Sequence, residues 1–344
     1  MLDTLQFPVA AAPAPGETIA IAPGVRWLRM PLPFALNHIN LWLLEDGPAW
    51  TIVDCGYALP DTKEAWERIF AQGLDGRPVR RIIVTHYHPD HMGLADWLSQ
   101  RWEAPLWTTE KEWLHARMFS QDTGEVSAAS RRLFAHRAGL DEEASTIFGE
   151  RQGNYRRGVP SVPPTYHRVS QGMDIEIGGR TWRVLIGEGH APELACLYCA
   201  ETGVLIAGDQ ILPRISPNVS VQTHEPDGDP LARFLASLAK IRDALPPETL
   251  VLPSHNLPFY GAHHRIDELI SHHHQRCDQV IAACTEPRSG ADLLPVLFRR
   301  MLDRHQTGFA LGEALAHLHY LAAQGTLSRT CGEDGVNRFL YSAA

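Results

Sequence analysis

The sequence predicts a mixed α/β (α+β) fold, and three observations carry that prediction. β-Favouring runs recur over residues 25–54 and again over 174–208. The apolar strand "VRRIIVTH" passes directly into a helix-forming segment. Amphipathic helical stretches separate and follow these runs. With 344 residues, 44% apolar and 21% charged, the chain can build one large domain and a small one.

Residues 1–24, rich in Ala and Pro, read as an N-terminal arm. "HINLWLLE" and "AWTIVDCG" read as strands joined by an "EDGP" turn. Residues 58–72 have helical spacing, with Ala65, Ile69 and Phe70 on one side. "VRRIIVTH" then ends in "THYHPDH", residues 85–91, and a helix is expected over 89–100, opening at Pro89. The histidines therefore sit on a strand-to-helix turn, beyond the carboxyl end of a strand, where α/β folds expose functional groups.

Residues 109–170 read as an insertion or lid, with two helical stretches and a Pro-rich loop. Between Arg131 and Arg168 lie seven Arg, no Lys and four acids, a local basic excess in a chain of formal net charge −9. Strands return at "DIEIGGRTWRVLIG", with a Gly-Gly hairpin turn, and at "ELACLYCAETGVLIAGD". "DPLARFLASLAKIRDAL" reads as an amphipathic helix, "ETLVLPSH" as a short strand, and about 261–285 as a helix. "TEPRSGADLL" is turn-rich. Short helices and a hairpin with an "EDG" turn follow, which gives a small winged-helix-like C-terminal domain over 286–344 behind a main domain over 25–285.

The acidic balance offers no global attraction to nucleic acid or to an anionic membrane. Six scattered cysteines do not make a disulfide framework. No basic, apolar leader and no membrane-length apolar stretch is visible, so the expected compartment is the cytoplasm.

The concentration of metal-binding groups carries the functional reading. His86 and His88 are two apart, so on an extended segment they point to one face and can reach one ion. Asp90 and His91 lie just past the bend and can turn toward a second ion. Three more candidates lie at strand-to-loop junctions: His190 in "GEGHAPE", Asp209 in "IAGDQ" and His255 in "LPSHN". Any one of these alone would more often be an ordinary loop or capping residue. Imidazole nitrogen with carboxylate oxygen suits first-row divalent metals.

"THYHPDH" resembles the His-x-His-x-Asp-His signature of the metallo-β-lactamase-fold hydrolases, and "GEGHAPE", "IAGDQ" and "LPSHN" are similar to that family's later motifs, in order. "TIVDCG" resembles its early Asp-x-Gly turn, with Asp54 behind the metal ligands. The resemblance implies a four-layer αββα sandwich and two divalent metal ions, usually zinc and sometimes iron or manganese. It places His86, His88 and His190 on one metal, Asp90, His91 and His255 on the other, and Asp209 between them. The motif's second His is not Glu, as in oxygen-reducing di-iron members, and no ligand is Cys, which favours hydrolysis. The tail, with "ALAHLHYLAAQGTLSR" and its hairpin, is similar to the winged-helix tail of one branch.

The implied reaction is hydrolysis of a small acyl substrate (ester, thioester or lactone) by water activated between the two metals, with Asp90 as the catalytic proton carrier. The alternatives are a metal-dependent ribonuclease or phosphodiesterase, a β-lactamase-like amidohydrolase, and a binding protein with a vestigial site. The tail's arginines (Arg299, Arg300, Arg304, Arg329, Arg338) are few for nucleic acid, and its apolar positions suit docking or a homodimer. The insert's arginines suit either a small anionic group or a solvated face. Cys196 and Cys199 on a strand point to opposite faces and read as packing residues, as does Cys55. The histidines at 263–264 and 272–274 read as a polar, partly exposed helix.

Overall fold

The computed structural model describes residues 4–150, 155–298 and 301–342. Arg151, Arg299 and Arg300, counted among the arginines above, lie outside the described residues. The chain divides into two compact units. One comprises Met1–Gln121, Asn154–Pro217 and Lys240–Ile266; the other comprises Asp122–Gly153, Asn218–Ala239 and Asp267–Ala344.

The first unit holds two sheets. One has seven strands in sequence order: β1 (Ile19–Ala22), β2 (Val25–Pro31), β3 (His38–Asp46), β4 (Ala49–Val53), β5 (Val79–Ile83), β6 (Leu106–Thr108) and β7 (His167–Arg168). β1 to β4 pair antiparallel, and β4 to β7 pair parallel. The other has five: β8 (Asp174–Ile177), β9 (Arg180–Gly187), β10 (Leu194–Cys199), β11 (Val204–Gly208) and β12 (Leu250–Pro253), with only β11–β12 parallel.

Register explains how the two sheets share one core. Trp27 pairs with Trp42, Trp42 with Val53, and Val53 with Ile83, so one row crosses β2 to β5 on a single face. That row belongs to the same buried cluster as Ile175, Trp182, Val184, Leu197, Ile206 and Leu252 of the second sheet. The Trp27 and Trp42 rings stack at 6.2 Å between centroids. β4, β11 and β12 are buried at every position, so the outer faces are covered as well. On the first sheet a cover is the helix Pro60–Gln72, which buries Ala65, Trp66 and Ile69. Trp66, not Phe70, completes its inner face, with its indole N–H donating to the Cys55 carbonyl at 2.9 Å. This is the αββα sandwich.

Three features differ from the sequence reading. The N-terminal segment is not loose: β1 joins the first sheet, and Gln6 and Tyr260 exchange backbone hydrogen bonds of 3.1 and 2.8 Å. The helix expected over 89–100 is broken into Pro89–Met92 and Ala95–Trp102. Gly93 stands at the break, where a Cβ would lie within 2.4–2.5 Å of the carbonyl oxygens of Gly56, Gly158 and Pro89. Finally, the stretch 109–170 is divided: the helix Glu110–Gln121 belongs to the first unit, whereas Glu125–Arg137 and Glu142–Gly149 belong to the second.

Within the second unit those two helices join the C-terminal elements. The helix Arg304–Ala323 leads into the hairpin β13 (Leu327–Cys331) and β14 (Asn337–Tyr341). The Ala291 N–H donates to the Ala138 carbonyl at 2.8 Å, and His136 Nε2 bonds the Asp334 carbonyl at 2.9 Å. Arg131, from the basic stretch, is spent internally on the carbonyls of Gly124 and Gly149. In the helix Ala262–Ala283, His273 is buried rather than exposed, because it follows Leu269 and precedes Cys277 on the helix's inner stripe. All six cysteines are free thiols, and all but Cys331 are buried. Among the described residues no helix is long and apolar enough to cross a membrane.

Candidate metal centre

Five short segments at strand ends build the centre. Asp54 follows β4, the His86–His91 run follows β5, His190 follows β9, Asp209 follows β11, and His255 lies just past β12. β4–β5 and β11–β12 are parallel pairs, which brings each pair's carboxyl ends to the same edge.

All seven sequence-predicted ligand residues come together, in two groups. His86, His88, His190 and Asp209 each offer a donor atom within 4.8 Å of the others, and so do Asp90, His91 and His255. His86 Nε2 and His88 Nδ1 face each other at 3.0 Å. Asp209 divides its two oxygens between the groups. Oδ2 is 3.4 Å from His190 Nε2, while Oδ1 is 3.6 Å from His91 Nε2 and 3.4 Å from His255 Nε2. Asp90 Oδ2 stands 3.5 Å from His255 Nε2 and 3.8 Å from His91 Nε2.

The donor set fits divalent metal ions. Five imidazoles and two carboxylates supply only nitrogen and oxygen, the ligand chemistry of zinc, iron and manganese. Among the described residues, His91 Nε2 and Asp209 Oδ1 are buried with no hydrogen-bond partner, which a folded protein tolerates poorly unless something else satisfies them.

Behind the donors lies a layer that holds three of the five rings. Asp54 has a left-handed backbone (φ 64°), which turns its carboxylate back over the strand end. Its oxygens accept the Thr85 N–H at 2.8 Å, the Thr85 hydroxyl at 2.9 Å and His91 Nδ1–H at 2.8 Å. With its own proton given to Asp54, the Thr85 oxygen faces His86 Nδ1 at 3.0 Å and can accept from it. His255 Nδ1–H donates to the His38 carbonyl at 2.8 Å. Each of these bonds assigns a proton to the ring nitrogen facing away from the cluster, so Nε2 is the atom that His86, His91 and His255 turn inward. The Cys55 N–H donates to the His91 carbonyl at 2.9 Å and locks the short helix onto the Asp54 turn.

The charges separate the histidines into two classes. Burial, reinforced by the neighbouring imidazoles, holds His86 well below its ordinary pKa, and burial beside His190 lowers His88 to about 3. Burial opposes charge on His91 and His255 too, but carboxylates overrule it. Asp54, Asp90 and Asp209 raise His91 well above its usual value, and Asp209 and Asp90 raise His255 to about 10. Burial pushes Asp209 upward, yet His255 and His91 hold it well below the carboxylate range; Asp90 is lowered in the same way.

Three supporting residues escaped the sequence reading. Thr85 opens "THYHPDH" but carries no ligand atom. His38 acts through its backbone carbonyl, and its Nε2 accepts the Asn256 N–H at 2.9 Å. Glu112 is fully buried and accepts two backbone N–H groups, from Tyr87 at 2.9 Å and from Glu193 at 2.6 Å. None of these has a sequence signature, because their partners are backbone groups or distant residues.

The family model of the metallo-beta-lactamase superfamily matches residues 36–255, spanning every one of these donors. The chain belongs to the metallo-beta-lactamase superfamily. A second family model, a metallo-beta-lactamase-like C-terminal domain, matches residues 277–342. Among solved structures, a beta-lactamase domain protein from Burkholderia ambifaria is 46% identical, with a TM-score of 0.90 and 98% of each chain covered. A metallo-beta-lactamase family protein from Thermus thermophilus is 30% identical, with a TM-score of 0.77, covering 94% of this chain and all of the other. A probable metallo-hydrolase of Bacillus subtilis is 24% identical over 310 residues, 88% of this chain and 93% of that one. The chain is thus a metal-dependent hydrolase by family and by donor set.

Proposed function

We propose that this hydrolase acts on a small acyl substrate, an ester, thioester or lactone, at two divalent ions, with zinc as the first candidate. His86, His88 and His190 would hold one ion and Asp90, His91 and His255 the other, with Asp209 contributing a carboxylate oxygen to each group. The observation that carries this reading is the division of Asp209, with one oxygen toward each imidazole group. The chemistry that two such ions would supply, when bound, is a water nucleophile near neutral pH and stabilisation of the negative charge developing on a carbonyl oxygen.

The chain's own residues do the rest. Asp90, with 18% of its side chain exposed, is the more accessible of the two carboxylates, which supports it as the group that takes a proton from the nucleophile and returns it to the leaving group. Asp54, Thr85 and the His38 carbonyl keep a proton on Nδ1 of His91, His86 and His255, which points Nε2 at the cluster. An acyl substrate is favoured over a polyanion by the net charge of −9.

The test is a hydrolysis screen of esters, acyl thioesters, lactones, β-lactams and phosphodiesters on protein loaded with defined metals, with metal content measured by mass spectrometry. Turnover of an acyl substrate at two metals per chain, nearly abolished by Asp90→Asn and Asp209→Asn, is expected. Preferential cleavage of phosphodiesters would replace the acyl reading with a nuclease one. Unchanged turnover in a fully loaded Asp209→Asn variant would remove the dinuclear mechanism.

A further inference from the structure

We propose that Glu112 is a positioning residue for the first metal position, fastening the His86–His88 segment to the His190 loop through their backbones. This rests on the dinuclear reading above.

Glu112 comes from neither ligand segment. It lies in the first turn of the helix Glu110–Gln121, after β6. Its carboxylate is fully buried, and each oxygen takes one main-chain N–H. Oε2 accepts from Tyr87, the residue between the two ligands His86 and His88. Oε1 accepts from Glu193, three residues after the ligand His190. One side chain therefore ties together two strand-end loops that supply three of the four donors of the first group.

Both residues it holds are gripped at the carbonyl as well. The Tyr155 hydroxyl donates to the Tyr87 carbonyl at 2.5 Å, and the Thr109 hydroxyl donates to the Glu193 carbonyl at 2.9 Å. Burial pushes the Tyr155 hydroxyl well above its ordinary pKa, which keeps it a donor. With N–H and C=O both restrained, Tyr87 has little freedom to rotate, and rotation there would swing His86 and His88 apart. Metal sites require donors within about 0.5 Å of the productive geometry.

The chemistry requires a carboxylate. Two converging N–H groups need two acceptor oxygens on one planar group. A glutamine offers one oxygen and turns an NH₂ against the other N–H, leaving a buried donor without an acceptor. At Glu193 the peptide is what is used, and the side chain pairs at the surface with Lys111 at 3.0 Å.

The experiment is chelator-competition titration of zinc, read by metal content per chain, on the full-length wild type, Glu112→Gln, Thr109→Val and Lys111→Ala, with melting temperatures of the metal-free proteins alongside. Glu112→Gln is expected to bind one of its two ions about 10–100-fold more weakly, the loss typical of groups that orient metal ligands. Thr109→Val, which leaves the carboxylate in place, is expected to show a smaller loss at the same ion. Lys111→Ala removes only the surface partner of the Glu193 side chain and is expected to bind both ions as the wild type does. If Glu112→Gln fails to fold, Thr109→Val carries the test. Wild-type affinity at both ions in Glu112→Gln, or in Thr109→Val where Glu112→Gln does not fold, overturns the proposal. So does a lowered melting temperature with metal affinity unchanged, which is what a purely structural role gives. A wild type that binds fewer than two ions overturns the dinuclear reading and this inference with it; two ions in the wild type and no effect of the variants overturn this inference alone.

Discussion

Replacing Asp54 by Asn separates what a charged acceptor does for the second metal position from what the backbone needs. Asp54 is buried, and its Oδ2 accepts His91 Nδ1–H at 2.8 Å while Oδ1 accepts the Thr85 N–H at 2.8 Å. In Asp54→Asn the amide oxygen can keep the Thr85 N–H, and the NH₂ then faces His91 Nδ1. That inverts the imidazole: Nδ1 becomes the acceptor, and the proton moves to Nε2, the atom aimed at Asp209 Oδ1 across 3.6 Å. A hydrogen bond to a charged partner is worth about 1.5–3 kcal/mol. On the affinity scale that is roughly 10–100-fold, the range seen when orienting groups behind metal ligands are lost. The backbone cost stays small, because Asn tolerates the left-handed φ of 64°, whereas Ala would add about 1–2 kcal/mol of strain. Zinc affinity by chelator competition is therefore expected to fall about 10–100-fold at one ion in Asp54→Asn, with a melting temperature near that of the wild type. A variant that binds both ions with wild-type affinity would refute the tautomer argument.

Two further outcomes are expected. Gly93→Ala forces a methyl against the backbone carbonyls of Gly56, Gly158 and Pro89, none of which can swing away, and is expected to cost about 1–3 kcal/mol in thermal unfolding; because the displaced turn carries Asp90 and His91, zinc content should drop too, and a melting temperature and zinc content both unchanged would contradict the packing argument. In the second unit, His273 Nδ1 meets His317 Nε2 at 3.2 Å, and burial lowers the two pKa values to about 3 and about 4. Both lie below the unfolded value near 6.5, so their effect is absent above that pH. As pH falls below it, the unfolded chain takes up protons that the folded one refuses, and stability drops by up to about 1.4 kcal/mol per pH unit for each group. Arg276, His272 and His274 add to the lowering, while Glu313, raised by burial to about 7, acts in the opposite direction and loses stability as pH rises from the unfolded value near 4.5 toward 7. Melting temperatures from about pH 7 to 5 should therefore fall less steeply for a His273→Gln/His317→Gln double variant than for the wild type; equal slopes would show that the pair does not titrate as argued.

The amino-acid sequence by itself named the seven candidate ligands, which the fold brings together in two groups. His86, His88, Asp90 and His91 are neighbours in the chain, so alternation on an extended segment followed by a bend already divides them between two positions. His190, Asp209 and His255 were legible because each directly follows a β-favouring run. The strand pattern of the sandwich was legible for the same local reason, a period of two with turn residues between. Tertiary structure decided what depends on residues distant in sequence. The division of Asp209 between the two groups, Glu112 joining Tyr87 to Glu193, and the His38 carbonyl behind His255 all exist only once separate loops meet. The stretch 109–170 read as one insertion because composition changes along it continuously. Folding splits it, since Glu110–Gln121 buries Glu112 and Ala116 in the first unit, whereas Glu125–Arg137 finds its partners on the C-terminal segment. Hydrogen bonds to main-chain groups leave no periodicity in a sequence, because every residue but proline carries the same N–H and every residue the same C=O. What lies behind the ligands is therefore visible only in three dimensions.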